Sequence, residues 1–251
     1  MSMRALVTGA GSGIGRATCL RLARDAAARG ARAQIAAVDL AASPGLPGTV
    51  EAIEKLGAEA FGVHGDMGTA DGPGRVVSEV VARFGGLDGL VSNAGVNRPG
   101  LLKDYDVRDW DLLFAVNVRA TWLLAKAAHD ALATARGAIV VTASMSGSNA
   151  HANLGAYGPS KAAVIMLMRV LAQEFGRDGV RVNAVSPGMI ATTFHDTFTK
   201  PEVRQAVAAR TSIGREGTAA DVANAVLFLA SGASAYITGE SVEINGGLYF
   251  V

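Results

Sequence analysis

Tyr157 and Lys161 stand four residues apart, and Ser144 precedes the tyrosine by thirteen positions. Apolar residues at helical spacing run from Ala162 to Phe175, so Tyr157 and Lys161 fall on the first turn of a helix and share one face of it. A phenol with a pKa near 10 is a poor base at neutral pH, but a neighbouring positive charge favours the phenolate. At about 4 Å and an effective dielectric near 20, two unit charges interact by roughly 4 kcal/mol, enough for a shift of about one to three pKa units. The expected chemistry is proton transfer at Tyr157, acidified by Lys161, while Ser144 holds a substrate oxygen. The competing reading is an ordinary amphipathic helix with an exposed Tyr and Lys. Four tyrosines and five lysines in 251 residues give about 0.08 such pairs by chance, so the pair takes its meaning from the rest of the chain.

The elements that must position these residues alternate between strand and helix. Ala138 to Val141 is a short β-branched run of the kind buried on both sheet faces, and it delivers Ser144 to a strand's C-terminal end. Arg4 to Val7 is a first strand, followed by Thr8-Gly9-Ala10-Gly11-Ser12-Gly13-Ile14-Gly15 and a helical pattern through Leu20, Leu22 and Ala23. Glycines there let a pyrophosphate approach the backbone, and the helix N-terminus offers free N–H groups to it. The spacing departs from the strict dinucleotide fingerprint, and a tight turn without ligand is the alternative.

Gln34 to Val38 is a second strand ending at Asp39, whose carboxylate is placed for an adenosine ribose and would repel a 2′-phosphate; otherwise it initiates a turn. A second helix closes at Gly57, and Ala60 to Val63 is a third strand ending near Asp66, which either reaches an adenine amine or is a solvated loop residue. Gly74 to Phe84 is helix, and Leu87 to Val91 a fourth strand before Asn93-Ala94-Gly95, small enough for a ribose to lie against the backbone. Asp109 to Ala135 reads as one helix in which Asn117, an amide on an apolar stretch, needs backbone, water or active-site partners. Val180 to Val185 and Ser241 to Ile244 are further strands, and Asp221 to Ala230 is helix. Residues 188 to 216, with Phe194, His195, Phe198 and Lys200, break the alternation and are expected to form a substrate lid. The sum is an α/β fold, a Rossmann-type doubly wound parallel sheet of about seven strands in one domain spanning 1–251, with its ligand at the C-terminal strand ends.

Composition narrows the function. The chain is 50% hydrophobic with a mean hydropathy of +0.29, which suits a sheet covered on both faces plus buried subunit contacts. A net charge of +1 without a basic block argues against nucleic acid. No membrane span or secretory signal is visible, so a cytoplasmic location is expected. Cys19 is the only cysteine and is expected to pack in a helix; the four histidines show no metal-ligand spacing.

Taken together, TGAGSGIG at 8 to 15, Asn93-Ala94-Gly95, Asn117, Ser144, Tyr157-x-x-x-Lys161, Pro187-Gly188 and ITGESVEINGG resemble the short-chain dehydrogenase/reductase family over essentially the full length. The resemblance implies a tetrad of Asn117, Ser144, Tyr157 and Lys161 and hydride transfer at nicotinamide C4. It implies that Asn117 supports a proton relay through Lys161, that Lys161 holds the nicotinamide ribose, and that Thr192 touches the carboxamide. Cofactor contacts then extend from Gly9, Ser12, Gly13, Ile14 and Gly15 through Asp39, Asp66, Met67, Asn93, Ala94 and Gly95 to Pro187, Gly188 and Ile190. Family members that prefer NADP commonly carry a basic residue where Ser12 or Leu40 stands here, so NAD is expected over NADP. One departure is the segment Arg24 to Arg32, about five residues longer than usual, which lengthens a helix away from the chemistry.

The expected function is NAD(H)-dependent oxidation of a secondary alcohol or reduction of its ketone. His151 and Asn153 near the tyrosine, with Asn97 and Arg98, lean toward a polar substrate such as a sugar, polyol or hydroxy acid. The alternative substrate is a 3-oxoacyl thioester on a carrier protein, hinted at by Arg98, Lys103, Lys200 and Arg204. A non-catalytic dinucleotide-sensing scaffold is the alternative of another class, although such a protein would be expected to lack the Tyr or Lys. The apolar helices around Trp122-Leu123-Leu124 and Val164 to Met168 have surface to spare, so a dimer or tetramer is expected.

Overall fold

A computed structural model describes residues 3–194 and 199–250. Seven strands form one sheet: β1 Met3–Thr8, β2 Ala33–Asp39, β3 Glu59–His64, β4 Gly89–Ser92, β5 Ala138–Thr142, β6 Arg181–Pro187 and β9 Ser241–Ile244. Their order is β3-β2-β1-β4-β5-β6-β9 and every neighbouring pair is parallel. The chain winds outward from β1 in one direction and from β4 in the other, so a crevice opens between them at the C-terminal edge.

The strands are buried on both faces because helices cover both. Leu6, Ile139 and Val141 face one side, against α3 Gly72–Phe84, α5 Ala120–Ala135 and α6 Tyr157–Phe175. Ala5, Val7 and Val140 face the other, against α1 Gly13–Ala28, α2 Leu46–Glu54 and the helix Ala219–Ala230. Alternate residues of one strand thus serve two separate cores, which is why the sequence shows continuous apolar runs rather than an apolar–polar alternation. Cys19 is fully buried in α1, and burial pushes its thiol up to about 12. Helix α1 runs to Ala28, so the longer Arg24 to Arg32 segment adds helix at the end remote from the glycine turn.

One expectation is corrected. The stretch Asp109 to Ala135 is not one regular helix: α4 Val107–Phe114 passes into a π turn at Ala115–Arg119 before α5. Residues 188 to 216 leave the pattern of the main sheet. Short strands β7 Ile190–Ala191 and β8 Gly217–Thr218 pair with each other and flank a helix, Pro201–Arg210. His195 and Phe198 lie outside the described residues. Among the described residues no helix is long and apolar enough to cross a membrane.

His129 ties α5 to the turn after α6. Its Nδ1 lies 2.9 Å from Asp130 Oδ1 and its Nε2 3.0 Å from Asp178 Oδ2, with the ring edge-on to Phe175 at 4.5 Å. Both nitrogens can donate only in the imidazolium, and the hydrogen bond to Asp130, then that to Asp178, raises its pKa above the usual 6.5. A raised folded-state pKa gives stability that is complete below the unfolded value and disappears as pH rises through the folded one. His129→Gln is therefore expected to lower the melting temperature at about pH 6 and to leave it nearly unaltered at about pH 8, as read by thermal denaturation; equal losses at both would contradict the charged clamp.

Candidate active site

The glycine turn between β1 and α1 is shaped by close approach. Gly9 and Gly13 take left-handed φ values of 67° and 51°, which suit residues without a side chain. A Cβ on Gly15 would stand 2.1 Å from Gly9 O, so helix α1 starts directly beneath the turn. Ser12 occupies the N-cap position, yet its hydroxyl makes no capping bond, leaving first-turn N–H groups for another acceptor. Ala10 N donates to Val38 O, and Gly11 N donates to Asp39 Oδ2 at 2.7 Å, so the carboxylate at the end of β2 is locked beside the turn.

Two threonines and one asparagine, Thr8, Asn93 and Thr142, join the central strand ends. Thr8 Oγ1 accepts from Asn93 N at 2.9 Å and Ala94 N at 3.0 Å; Asn93 Nδ2 donates to Thr8 O, and Thr142 Oγ1 donates to Asn93 Oδ1. The ends of β1, β4 and β5 are therefore fixed relative to one another. Asn93 and Thr8 each belong to a motif read in the sequence, though without this pairing; Thr142 was not anticipated, since a strand-end threonine looks like an ordinary β residue.

Ser144, Tyr157 and Lys161 come together at the end of β5. The tyrosine opens α6, one turn before the lysine, and Ser144 leaves the strand in an extended conformation that turns its hydroxyl toward the Ser146 amide. Lys161 Nζ lies 5.7 Å from the Tyr157 ring centre and donates to Thr142 O at 2.7 Å. Burial pushes the Tyr157 phenol up to about 12, against a smaller lowering by its hydrogen bond with Ser144. Burial also pushes Lys161 down to about 8. The expected acidification is thus reversed in the protein without ligand: the lysine reaches past the ring to β5, and loss of water around the phenol dominates. At neutral pH the phenol holds its proton.

Asn117 sits on the π turn, 2% exposed. Its Oδ1 accepts from Val96 N at 2.9 Å, and its Nδ2 donates to Val96 O at 3.1 Å and to Ser160 Oγ at 3.0 Å. Ser160 in turn donates to Tyr157 O at 2.7 Å. The amide thus clamps the segment after β4 to the first turn of α6. A Cβ on Gly95 would lie 3.3 Å from Asn117 Oδ1 and 3.5 Å from Lys161 Nζ, so glycine clears the space where these groups converge. Ser160 was missed in the sequence, because a serine on a helix face carries no signal of its own.

A cavity of about 730 Å³ runs along this edge, within the usual range for small-molecule and cofactor sites. Gly9, Ser12, Gly13, Ile14 and Asp39 line one end, Ser144, Tyr157 and Lys161 another, with Asn93, Ala94 and Gly95 between. Asp66, Met67, His151, Asn153, Pro187, Gly188, Ile190 and Thr192 also line it. Gly15 and Asn117 stand behind the lining and act by spacing and support. Asp66 Oδ1 also accepts from Gly68 N at 2.7 Å. Phe194, from the segment after β7, reaches to 6.1 Å from the Tyr157 ring. The open helix terminus, the cleared glycine turn and the carboxylate beside it fit the pyrophosphate and adenosine ribose of a dinucleotide. Among the described residues no cluster could hold a metal ion.

Comparison with known proteins agrees in extent and kind. A family model described as enoyl-(acyl carrier protein) reductase matches residues 9–249. The chain is 41% identical to the (3R)-3-hydroxyacyl-CoA dehydrogenase of Mus musculus, across 99% of this chain and 96% of that one. It is 35% identical to the 3-oxoacyl-[acyl-carrier-protein] reductase FabG of Staphylococcus aureus, across 99% of each. A short chain dehydrogenase from Burkholderia cenocepacia, solved in complex with NADP, superposes with a TM-score of 0.90 at 35% identity, covering 98% of this chain and 97% of the other.

Proposed function

The chain belongs to the short-chain dehydrogenase/reductase family, oxidoreductases of CH–OH and keto groups that use a nicotinamide cofactor, and from that premise we propose that it moves hydride between NAD(H) and a secondary alcohol or its ketone. One observation carries the reading: Ser144, Tyr157 and Lys161 line the same cavity as the glycine turn and Asp39. When bound, the nicotinamide supplies the hydride donor or acceptor. Everything else is the work of this chain's residues.

In the direction of reduction, the neutral Tyr157 phenol donates its proton to the substrate oxygen while the Ser144 hydroxyl holds that oxygen in place. The phenolate left behind is stabilised by the Lys161 ammonium on the same helix face. Oxidation runs the same transfers backwards. Asn117 fixes the first turn of α6 through Ser160 and so sets where Tyr157 and Lys161 point. The segment 188–216, which brings Phe194 over the tyrosine, serves as the substrate lid.

Asp39 supports NAD over NADP: its carboxylate is held beside the glycine turn by Gly11 N, where a 2′-phosphate would meet like charge, and neither Ser12 nor Leu40 offers a compensating cation. For the substrate, His151 and Asn153 support a polar compound such as a sugar, polyol or hydroxy acid. A second reading, a 3-oxoacyl thioester, is supported by the apolar side chains Met189, Val203, Val207 and Leu248 along the cavity and by the names of two relatives. Trp122, Met166 and Val170, 44%, 57% and 43% exposed on α5 and α6, support a dimer or tetramer.

Tyr157→Phe is expected to lower turnover by at least about 100-fold with cofactor affinity retained, read by nicotinamide absorbance and by calorimetry; an active variant would remove the tyrosine from its role. Asp39→Asn should reduce the preference for NADH over NADPH by on the order of tenfold, equivalent to about 1.4 kcal/mol; an unchanged ratio of affinities would reject charge repulsion as its basis. Light scattering at micromolar concentration should report a dimer or tetramer, and Met166→Glu with Val170→Glu should shift it toward monomer. A wild-type monomer would refute the association.

A further inference from the structure

The cavity is polarised. Its acidic lining residues among the described ones are Asp39, which ends β2, and Asp66, which follows β3, on the side of the glycine turn. Beyond Tyr157 the described lining contains no carboxylate and has two cations, Lys200 and Arg210, at opposite ends of the helix Pro201–Arg210. Neither cation has an ion pair among the described residues. Arg204, on the same helix, is instead held by Glu216 at 2.7 and 2.9 Å. The lining also carries the apolar side chains Met189, Phe194, Val203, Val207 and Leu248.

Two buried polar atoms on this cavity also lack partners among the described residues, His151 Nε2 and Asn97 Oδ1. Asn97 is only 4% exposed, and His151 packs edge-on against Tyr249 at 5.4 Å. Burial, and then the charge of Arg210, lowers the His151 pKa below 6.5, so at neutral pH the imidazole brings a hydrogen-bonding atom without charge. Buried polar groups in folded proteins are almost always partnered. Orphans that line a cavity therefore point to a ligand that supplies the partners.

We propose that Arg210 recognises an anionic group at the end of the substrate remote from the reacting carbon, with His151 and Asn97 holding neutral polar atoms between. The substrate is then an oxo or hydroxy compound with a distal carboxylate or phosphate, as in a free oxo acid or a phosphate-bearing thioester. The proposal rests on the oxidoreductase reading above. An anion at the mouth suits an arginine better than a lysine alone, since the guanidinium offers a planar fork of donors to either group.

The test compares three 3-oxo compounds with a common reacting end: the free carboxylate, its coenzyme A thioester and the neutral ethyl ester. Arg210→Gln is expected to lower the anionic-to-neutral ratio of kcat/KM by about tenfold, through KM, and Arg210→Glu further; Arg210→Lys should restore most of it. Added salt should lower the wild-type ratio. Whichever anionic compound shows the effect identifies carboxylate or phosphate. An unchanged ratio in Arg210→Gln, or an Arg210→Lys variant as impaired as Arg210→Gln, overturns the proposal. Affinities of the same compounds for Tyr157→Phe protein loaded with NADH give the ratio without turnover. A wild-type enzyme inactive on all three would count against the 3-oxoacyl reading of the substrate, while those affinities still decide the role of Arg210.

Discussion

A lysine ammonium buried to 4% exposure is the constraint to which the rest of this edge conforms. An isolated charge is costly to remove from water, so it persists only where donors meet acceptors and neighbours leave it room. Helix α6 sets the position of Lys161, the end of β5 supplies Thr142 O as an acceptor, and Gly95 leaves the volume beside it. An ammonium has three donors and Thr142 takes one of them, so the same side chain that is anchored to the sheet still has donors for whatever enters the cavity. Displacing α6, β5 or the segment after β4 would strand the charge. The parallel sheet holds all three.

The tyrosine shows how a correct placement of two residues on one helix can accompany an incorrect electrostatic picture. Spacing alone places Tyr157 and Lys161 on one face, and the structure agrees. Spacing says nothing of solvent, and desolvation of the phenol outweighs the hydrogen bond with Ser144 that favours its ionised form. Burial therefore favours the protonated phenol.

What was legible in the chain follows the same division between local and assembled information. The strands and the glycine turn were readable because β-branched runs and breaker residues act within a few positions. Ends differed by a residue or two. Thr142 and Ser160 were invisible because each works through a hydrogen bond to a residue far away in sequence or to a backbone atom, with no pattern in its own surroundings. The π turn was hidden for a related reason. Nothing in Ala115 to Arg119 interrupts a helical pattern, and the partners of Asn117 on that turn, the Val96 backbone and the Ser160 hydroxyl, are both distant in sequence.

That turn has a geometric meaning beyond the bonds it makes. A widened turn accommodates one surplus residue and rotates everything that follows about the axis, so α4 and α5 present faces that no straight cylinder of the same sequence could present together. The π turn itself brings Val116 to the cavity while α5 stays embedded against α3 and α6. A sequence optimised for unbroken helix between Val107 and Ala135 would lose this angular offset, and with it the means of aiming one amide at two neighbours. Irregularity here is a form of addressing, written in the pitch of the backbone.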